Sequence, residues 1–223
     1  MADENDIIES ASSPCSLHEL DPEMAGTAPL DIPAWRKAER KRLIAMRMEI
    51  PAAGREAMDA AIRDGLAALI GAPAGRIVSA YWPFRAEPDL RPLLRSMRDA
   101  GARIALPVVV AKGQPLIFRE WLPGAKLARG VWNIPYPEDG PELVPELSIA
   151  PVVGFDAGHY RLGYGGGFFD RTLASLDPMP RCIGVGYDAQ EIPTIRPQVH
   201  DIPMVAIVTE NGLRGSPDLS RPI

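Results

Sequence analysis

Two periodicities follow one another along the chain. Apolar positions first recur at helical spacing, in AWRKAERKRLIAMRMEI and again over 54–70. Asp31 is placed to cap the first of these helices and Pro33 suits its first turn. Pro51 ends it after about Glu49, and Gly71 closes the second. Beyond Gly71 the apolar runs shorten to strand length and alternate with helical pattern. Residues 76–82 read as a strand, 88–100 as a helix closed by Gly101, and 103–110 as a second strand, a βαβ sequence that implies parallel pairing. A short strand is expected at 115–121, and the proline-rich span 123–145 reads as mostly loop. The run 147–155 reads as one buried strand, 168–176 as a helix, and 181–187 and 204–209 as later strands. The alternation predicts an α/β domain.

Domain limits follow from where the pattern starts and stops. Residues 1–31 carry eight acidic side chains and no Lys or Arg, so they are expected to form a disordered tail. The α/β domain is expected over 32–215 and a second tail over 216–223, with no internal repeat. At 223 residues and 46% hydrophobic the chain can bury a substantial core. Its formal net charge of -5 gives no general attraction for nucleic acid or an anionic membrane. The longest apolar stretches, such as 149–155, fall far short of the roughly 20 residues that span a bilayer. Cys15 and Cys182 are too few for a cysteine metal site and are not expected to pair. The acidic start matches neither a secretory signal nor a transit peptide, so the cytoplasm is the expected compartment.

The densest chemistry lies in Arg161-Leu162-Gly163-Tyr164-Gly165-Gly166-Gly167-Phe168-Phe169-Asp170-Arg171. Glycines free backbone N–H groups to form a concave nest for anionic oxygens, arginines add forked charge, and Asp170 offers a carboxylate to a metal ion. The loop stands between an expected strand and an expected helix, where helix N-termini attract phosphate. It is neither a P-loop nor G-x-G-x-x-G, and a flexible surface turn is the plain alternative. On the first helix Arg36 and Arg40 have the i,i+4 spacing that lets two cations grip one polyphosphate, or simply form a solvated basic face.

The segment from Phe155-Asp156 through Arg171 resembles the signature of the 5-formyltetrahydrofolate cyclo-ligase family. Three other segments fall in the family's order: Tyr81-Trp82-Pro83-Phe84-Arg85-Ala86-Glu87, Trp132-Asn133-Ile134-Pro135, and His200-Asp201 before Val208-Thr209-Glu210. The resemblance implies a three-layer αβα fold with a central, mainly parallel mixed sheet. It implies ATP-dependent closure of 5-formyltetrahydrofolate to 5,10-methenyltetrahydrofolate with release of ADP and phosphate, with Mg²⁺ as cofactor. The family pattern assigns Arg36, Arg40 and the loop Arg161, Leu162, Gly163, Tyr164, Gly165, Gly166, Gly167, Phe168 and Phe169 to ATP. Arg161 and Asp170 become the catalytic pair, Asp170 and Asp201 the magnesium ligands, and Trp82, Glu87 and Trp132 the folate pocket. Aromatic walls suit a flat pterin, and a carboxylate accepts hydrogen bonds from its N–H groups. The expected partners are 5-formyltetrahydrofolate and ATP, with the protein a monomer or weak homo-oligomer.

The chain also departs from the family pattern. His159 stands where glycine is usual, Val205 where aspartate is common, and Phe168 and Phe169 where tyrosine is frequent. These departures motivate a second reading, a catalytically weak relative that binds folate or nucleotide as a regulatory module.

Overall fold

Helices α1 (Ile32–Glu49) and α2 (Ala52–Ile70) meet at Pro51, whose extended backbone (φ -60°, ψ 142°) separates them. The computed structural model describes residues 30–215. The expected tails at 1–31 and 216–223 therefore lie outside the described residues, apart from Leu30 and Asp31. From Ile32 the described chain forms one compact unit.

Seven strands form the central sheet: β1 (Ile77–Ser79), β2 (Arg103–Val108), β3 (Ile117–Glu120), β6 (Leu147–Pro151), β9 (Arg181–Val185), β10 (Ala206–Thr209) and β11 (Gly212–Arg214). Their order is β11-β10-β9-β6-β1-β2-β3. The inner five pair in parallel, and β3 and β11 close the two edges antiparallel. Successive residues of a strand point to opposite faces, and the core divides accordingly. Ile149, Ile183 and Val208 pack against Ile62, Leu66 and Ile70 of α2 and against Leu93, Leu94 and Met97 of α3 (Arg91–Asp99). Their neighbours Ala150, Cys182 and Ile207 face the other way, onto Leu173 of α4 (Phe168–Ser175). This is the three-layer αβα arrangement. Each fully buried aliphatic side chain, such as Ile62 or Leu66, contributes about 1.5–3 kcal/mol.

Three local expectations are corrected. The run 147–155 is two strands, because the backbone changes partner: Val152 N–H still donates to Val185 of β9, whereas Val153 N–H donates to Leu162. Gly154 and Phe155 then form β7 (Gly154–Phe155), a hairpin with β8 (Arg161–Leu162) outside the main sheet. A Cβ at Gly154 would lie 2.6 Å from Leu43 Cδ1, so glycine lets this turn pass against α1. The span 123–145 is not simply loop, since β4 (Leu127–Arg129) and β5 (Pro135–Pro137) pair as a hairpin. Its prolines occupy the ends of β5, the positions where a missing N–H is tolerated. The strand expected over 76–82 is regular only over Ile77–Ser79, after which the chain turns.

Along the sheet, β1 lies between β2, which follows it, and β6, which continues the chain to the other side. Such a switch in strand order opens a crevice at the carboxyl ends of the strands. The segments that leave β1 and β6 there are the ones that carry Trp82 to Glu87 and Pro151 to Arg161. Among the described residues no helix is long and apolar enough to cross a membrane.

Candidate active site

A cleft opens at this switch point, and every residue expected in the site lines it: Arg36, Arg40, Trp82, Glu87, Trp132, the loop from Arg161 to Phe169, Asp170 and Asp201. Its two ends differ in character. One is cationic and glycine-rich; the other is aromatic with a buried carboxylate.

The cationic end is built on the loop between β8 and α4. Gly165 takes φ +94°, and a Cβ there would stand 3.2 Å from the Arg40 guanidinium carbon. Glycine is thus needed both for the backbone and for the close approach of Arg40, whose Nε donates to the Gly163 carbonyl at 2.7 Å. Burial, and then the nearby Arg36, lowers the pKa of Arg40. Gly167, at φ +63°, starts α4, and Arg171 donates back to its carbonyl at 3.3 Å. Arg161 is buried on β8, with Nη2 3.0 Å from Asp170 Oδ2 and the Phe169 ring 5.3 Å from its guanidinium carbon. Arg36 pairs with Asp201 and also donates to the carbonyls of Ile195 at 3.1 Å and Arg196 at 2.9 Å. It is therefore committed to the wall, whereas Arg40, one turn further along α1, reaches the glycine loop.

The carboxylates of this end are likewise engaged. Asp170 Oδ1 accepts from Ile202 N–H at 3.2 Å, and Asp201 also accepts from the Gln198 N–H at 2.6 Å. Burial works against the Asp201 charge, but Arg36 and the Gln198 N–H hold its pKa below the usual carboxylate range. Among the described residues no three His, Cys, Asp or Glu side chains gather as a metal cluster. A protein-only metal centre does not fit this donor set. One or two carboxylates beside a cationic, glycine-rich loop do fit a hydrated ion that a polyphosphate would bring with it, the way magnesium is usually held.

At the aromatic end the chain leaving β1 makes a tight turn in which Arg85 (φ 48°) and Ala86 (φ 58°) are both left-handed. Glu87 follows them and folds back, so that its Oε2 accepts from Phe84 N–H at 2.9 Å. It is 5% exposed, and burial raises its pKa to about 7. Trp132 is 48% exposed at φ 56°, its ring parallel to Phe84 within 6° at 6.3 Å and 5.4 Å from Tyr164. Those three rings form an open aromatic wall over Glu87, suited to a flat heterocycle. Trp82 contributes from a packed position, edge-on to Trp121 at 5.8 Å.

Two side chains make contacts that sequence reasoning did not foresee. Tyr164, expected with the ATP loop, lines the cleft there, and its hydroxyl also donates to Glu87 Oε1 at 2.8 Å, joining the loop to the aromatic end. Arg47, not singled out among the basic side chains of α1, is fully buried beneath both. Its spacing gave a signal: 36, 40, 43 and 47 fall on one helical face. Tyr81, Phe84, Val109 and Leu116 also line the cleft, without having been assigned a role from the sequence. Asp156 shapes the β7–β8 turn, accepting from Gly158 N–H at 3.0 Å with one oxygen and from Ile195 N–H at 2.9 Å with the other. At the departures from the family pattern, His159 takes φ 61°, the left-handed region that glycine would enter freely, and Val205 packs against the core.

Comparison with known proteins places this geometry. Residues 32–210 match the family model described as the 5-formyltetrahydrofolate cyclo-ligase family. A 5-formyltetrahydrofolate cyclo-ligase of Mycolicibacterium smegmatis is 32% identical over 185 residues, covering 79% of this chain and 94% of the relative. One from Escherichia coli K12 is 33% identical over 140 residues, 59% of this chain and 76% of its own. Among solved structures, the Aquifex aeolicus 5,10-methenyltetrahydrofolate synthetase superposes with a TM-score of 0.71 at 26% identity, covering 81% of this chain and 92% of that one. The Mycoplasma pneumoniae synthetase, at 21% identity and a TM-score of 0.66, shares the fold over 78% of this chain and 98% of its own. The chain belongs to the 5-formyltetrahydrofolate cyclo-ligase family and is an enzyme of the ligase class.

Proposed function

We propose that the protein closes 5-formyltetrahydrofolate to 5,10-methenyltetrahydrofolate, consuming ATP and releasing ADP and phosphate. The observation that carries this reading is the single cleft in which a glycine loop braced by Arg40 and Arg161 adjoins an aromatic wall over a buried carboxylate. A nucleotide triphosphate suits the first end and a pterin the second.

The chemistry explains why both are needed. A formyl amide is a poor electrophile and its oxygen a poor leaving group, so attack by N10 is blocked. Transfer of the γ-phosphoryl group to the formyl oxygen makes that oxygen a leaving group. N10 then adds to the iminium-like carbon, and phosphate departs as the methenyl bridge forms. No protein nucleophile takes part. The protein's contribution is to hold the two reactants in line, offset developing phosphate charge and keep water out.

Loop N–H groups, Arg40 and Arg161 would hold the phosphates, with Arg36 bracing Asp201 beside them. Asp170 and Asp201 are the residues that would contribute to holding Mg²⁺; when bound, the ion offsets negative charge on the phosphates. Glu87 would accept hydrogen bonds from the pterin edge, while Trp132 and Phe84 cover its face and Trp82 closes the wall. The test is near-ultraviolet absorbance of the purified protein with 5-formyltetrahydrofolate and Mg-ATP, with ADP assayed in parallel. Equal, ATP-dependent appearance of the methenyl chromophore and ADP supports the reading. Folate binding with neither product would instead favour a regulatory binding module.

A further inference from the structure

We propose that Arg47 is a positioning residue for this reaction: from beneath the cleft it holds Glu87 and Tyr164 in one hydrogen-bonded unit, and so sets the Glu87 carboxylate and the glycine loop together. The proposal rests on the function proposed above and adds a residue that does not touch either substrate.

Arg47 is 0% exposed, and each arm of its guanidinium reaches a different part of the site. Nε donates to the carbonyl of Arg85 at 2.9 Å, in the left-handed turn that presents Glu87. Nη1 donates to the carbonyl of Val152 at 3.2 Å, just past the end of β6. Nη2 donates to the Tyr164 hydroxyl at 2.7 Å, within the glycine loop. The distance from Nη2 to Glu87 Oε1 is 3.8 Å, too long for a hydrogen bond. The Tyr164 hydroxyl fills that gap, accepting from Arg47 and donating to Glu87 at 2.8 Å. The buried ion pair is thus bridged by a phenol whose ring also faces the aromatic wall.

Two features argue that this is more than core packing. Two consecutive non-glycine residues in left-handed conformation persist only where their surroundings hold them, and the Arg47 bond to Arg85 is one such hold. A lysine has no fork with which to reach three acceptors on separate segments, so the arrangement is specific to arginine. Glu87 is faced by Arg47 from α1, by Tyr164 from the glycine loop, by Arg85 from its own turn and by Tyr81 just beyond β1. Loss of the Tyr164 donor leaves the carboxylate with less support for its charge, so its ionisation should move to higher pH.

The test uses the full-length protein with Tyr164→Phe, Arg47→Lys and the double variant, reading the Kd of 5-formyltetrahydrofolate from pH 5.5 to 8.5 along with the thermal midpoint. Each single change should weaken folate binding about tenfold, the worth of one hydrogen bond to a charged group. The double variant should be no weaker than the worse single one, and the pH at which folate binding is half lost should rise in Tyr164→Phe. A lower thermal midpoint with unchanged folate affinity and pH dependence would overturn the proposal and leave Arg47 a structural anchor. Should Arg47→Lys fail to fold, Tyr164→Phe decides alone, since an unmoved pH midpoint contradicts the bridge. A wild-type protein that binds no folate would defeat the functional reading itself, a result distinct from normal binding that the variants do not alter.

Discussion

Arg161 and Asp170 face each other at 3.0 Å from opposite ends of the glycine loop, one on the last residues of a hairpin and the other in the first turn of α4. The pair closes the loop and places a buried guanidinium at the cationic end of the cleft. Arg161→Ala should lower turnover about 10²–10³-fold, as removal of one preorganised donor does. Asp170 keeps its bond from Ile202 N–H, so the stability loss should stay near 1–2 kcal/mol. Steady-state kinetics beside a thermal melt separate the two effects, and full activity would remove Arg161 from the site.

Gly165 supports the same end by backbone shape. Alanine at φ +94° is strained by about 1–2 kcal/mol, and its methyl would press on the Arg40 guanidinium. Gly165→Ala should therefore raise the KM for ATP about tenfold while leaving the folate Kd within twofold. Parallel titrations of the two substrates check this; equal weakening of both would mean that the loop is not specific to phosphate.

Trp132 is the opposite case, exposed and poorly braced. Trp132→Ala should leave stability within about 0.5 kcal/mol, as for surface sites, while weakening folate binding by about 1–3 kcal/mol, as loss of a stacking partner does. Calorimetric titration with the folate is the direct check, and unchanged affinity would remove the ring from the pocket.

Glu87 sets a pH dependence with two opposed signs. Burial raises its pKa from the ordinary 4.5 to about 7, against the pull of Arg47, the Tyr164 hydroxyl, the Phe84 N–H and Arg85. The folded state holds this proton more tightly than the unfolded chain. Its contribution to stability is therefore complete below about 4.5 and is lost as pH rises through about 7. Glu87→Gln, which cannot titrate, should gain thermal stability relative to wild type across that window and hold a constant difference above it. The acceptor role proposed for Glu87 requires the carboxylate, so wild-type folate affinity should strengthen over the same rise in pH. Melts and Kd values from pH 5 to 8 test both signs; parallel melting curves would show that Glu87 does not titrate there.

What the sequence made legible was local. The strand and helix periods, Pro51 between two helices, and the glycine loop with its arginines all act over a few residues, and the structure places each near where it was read. The Arg47 bridge was not legible, because its links to Tyr164 and from Tyr164 to Glu87 span 117 and 77 residues and exist only once α1 is docked. Tyr164 sits inside the glycine loop, so it was read with the loop, and nothing local shows that its hydroxyl reaches Glu87. The β4–β5 hairpin was hidden by Pro135 and Pro137, which read as loop until the pairing partner is known. The change of partner at Val152 and Val153 was hidden too, since a continuous apolar run fits one buried strand as well as two.

The proposed mechanism turns on the fate of one oxygen atom, and labelling follows it directly. 5-Formyltetrahydrofolate carrying ¹⁸O in the formyl group should be incubated with the protein and Mg-ATP, and the released phosphate analysed by mass spectrometry. Phosphoryl transfer to the formyl oxygen puts one ¹⁸O in each phosphate formed alongside the methenyl product. Methenyl product accompanied by unlabelled phosphate would contradict it, because ring closure would then proceed without transfer of the phosphoryl group to the formyl oxygen.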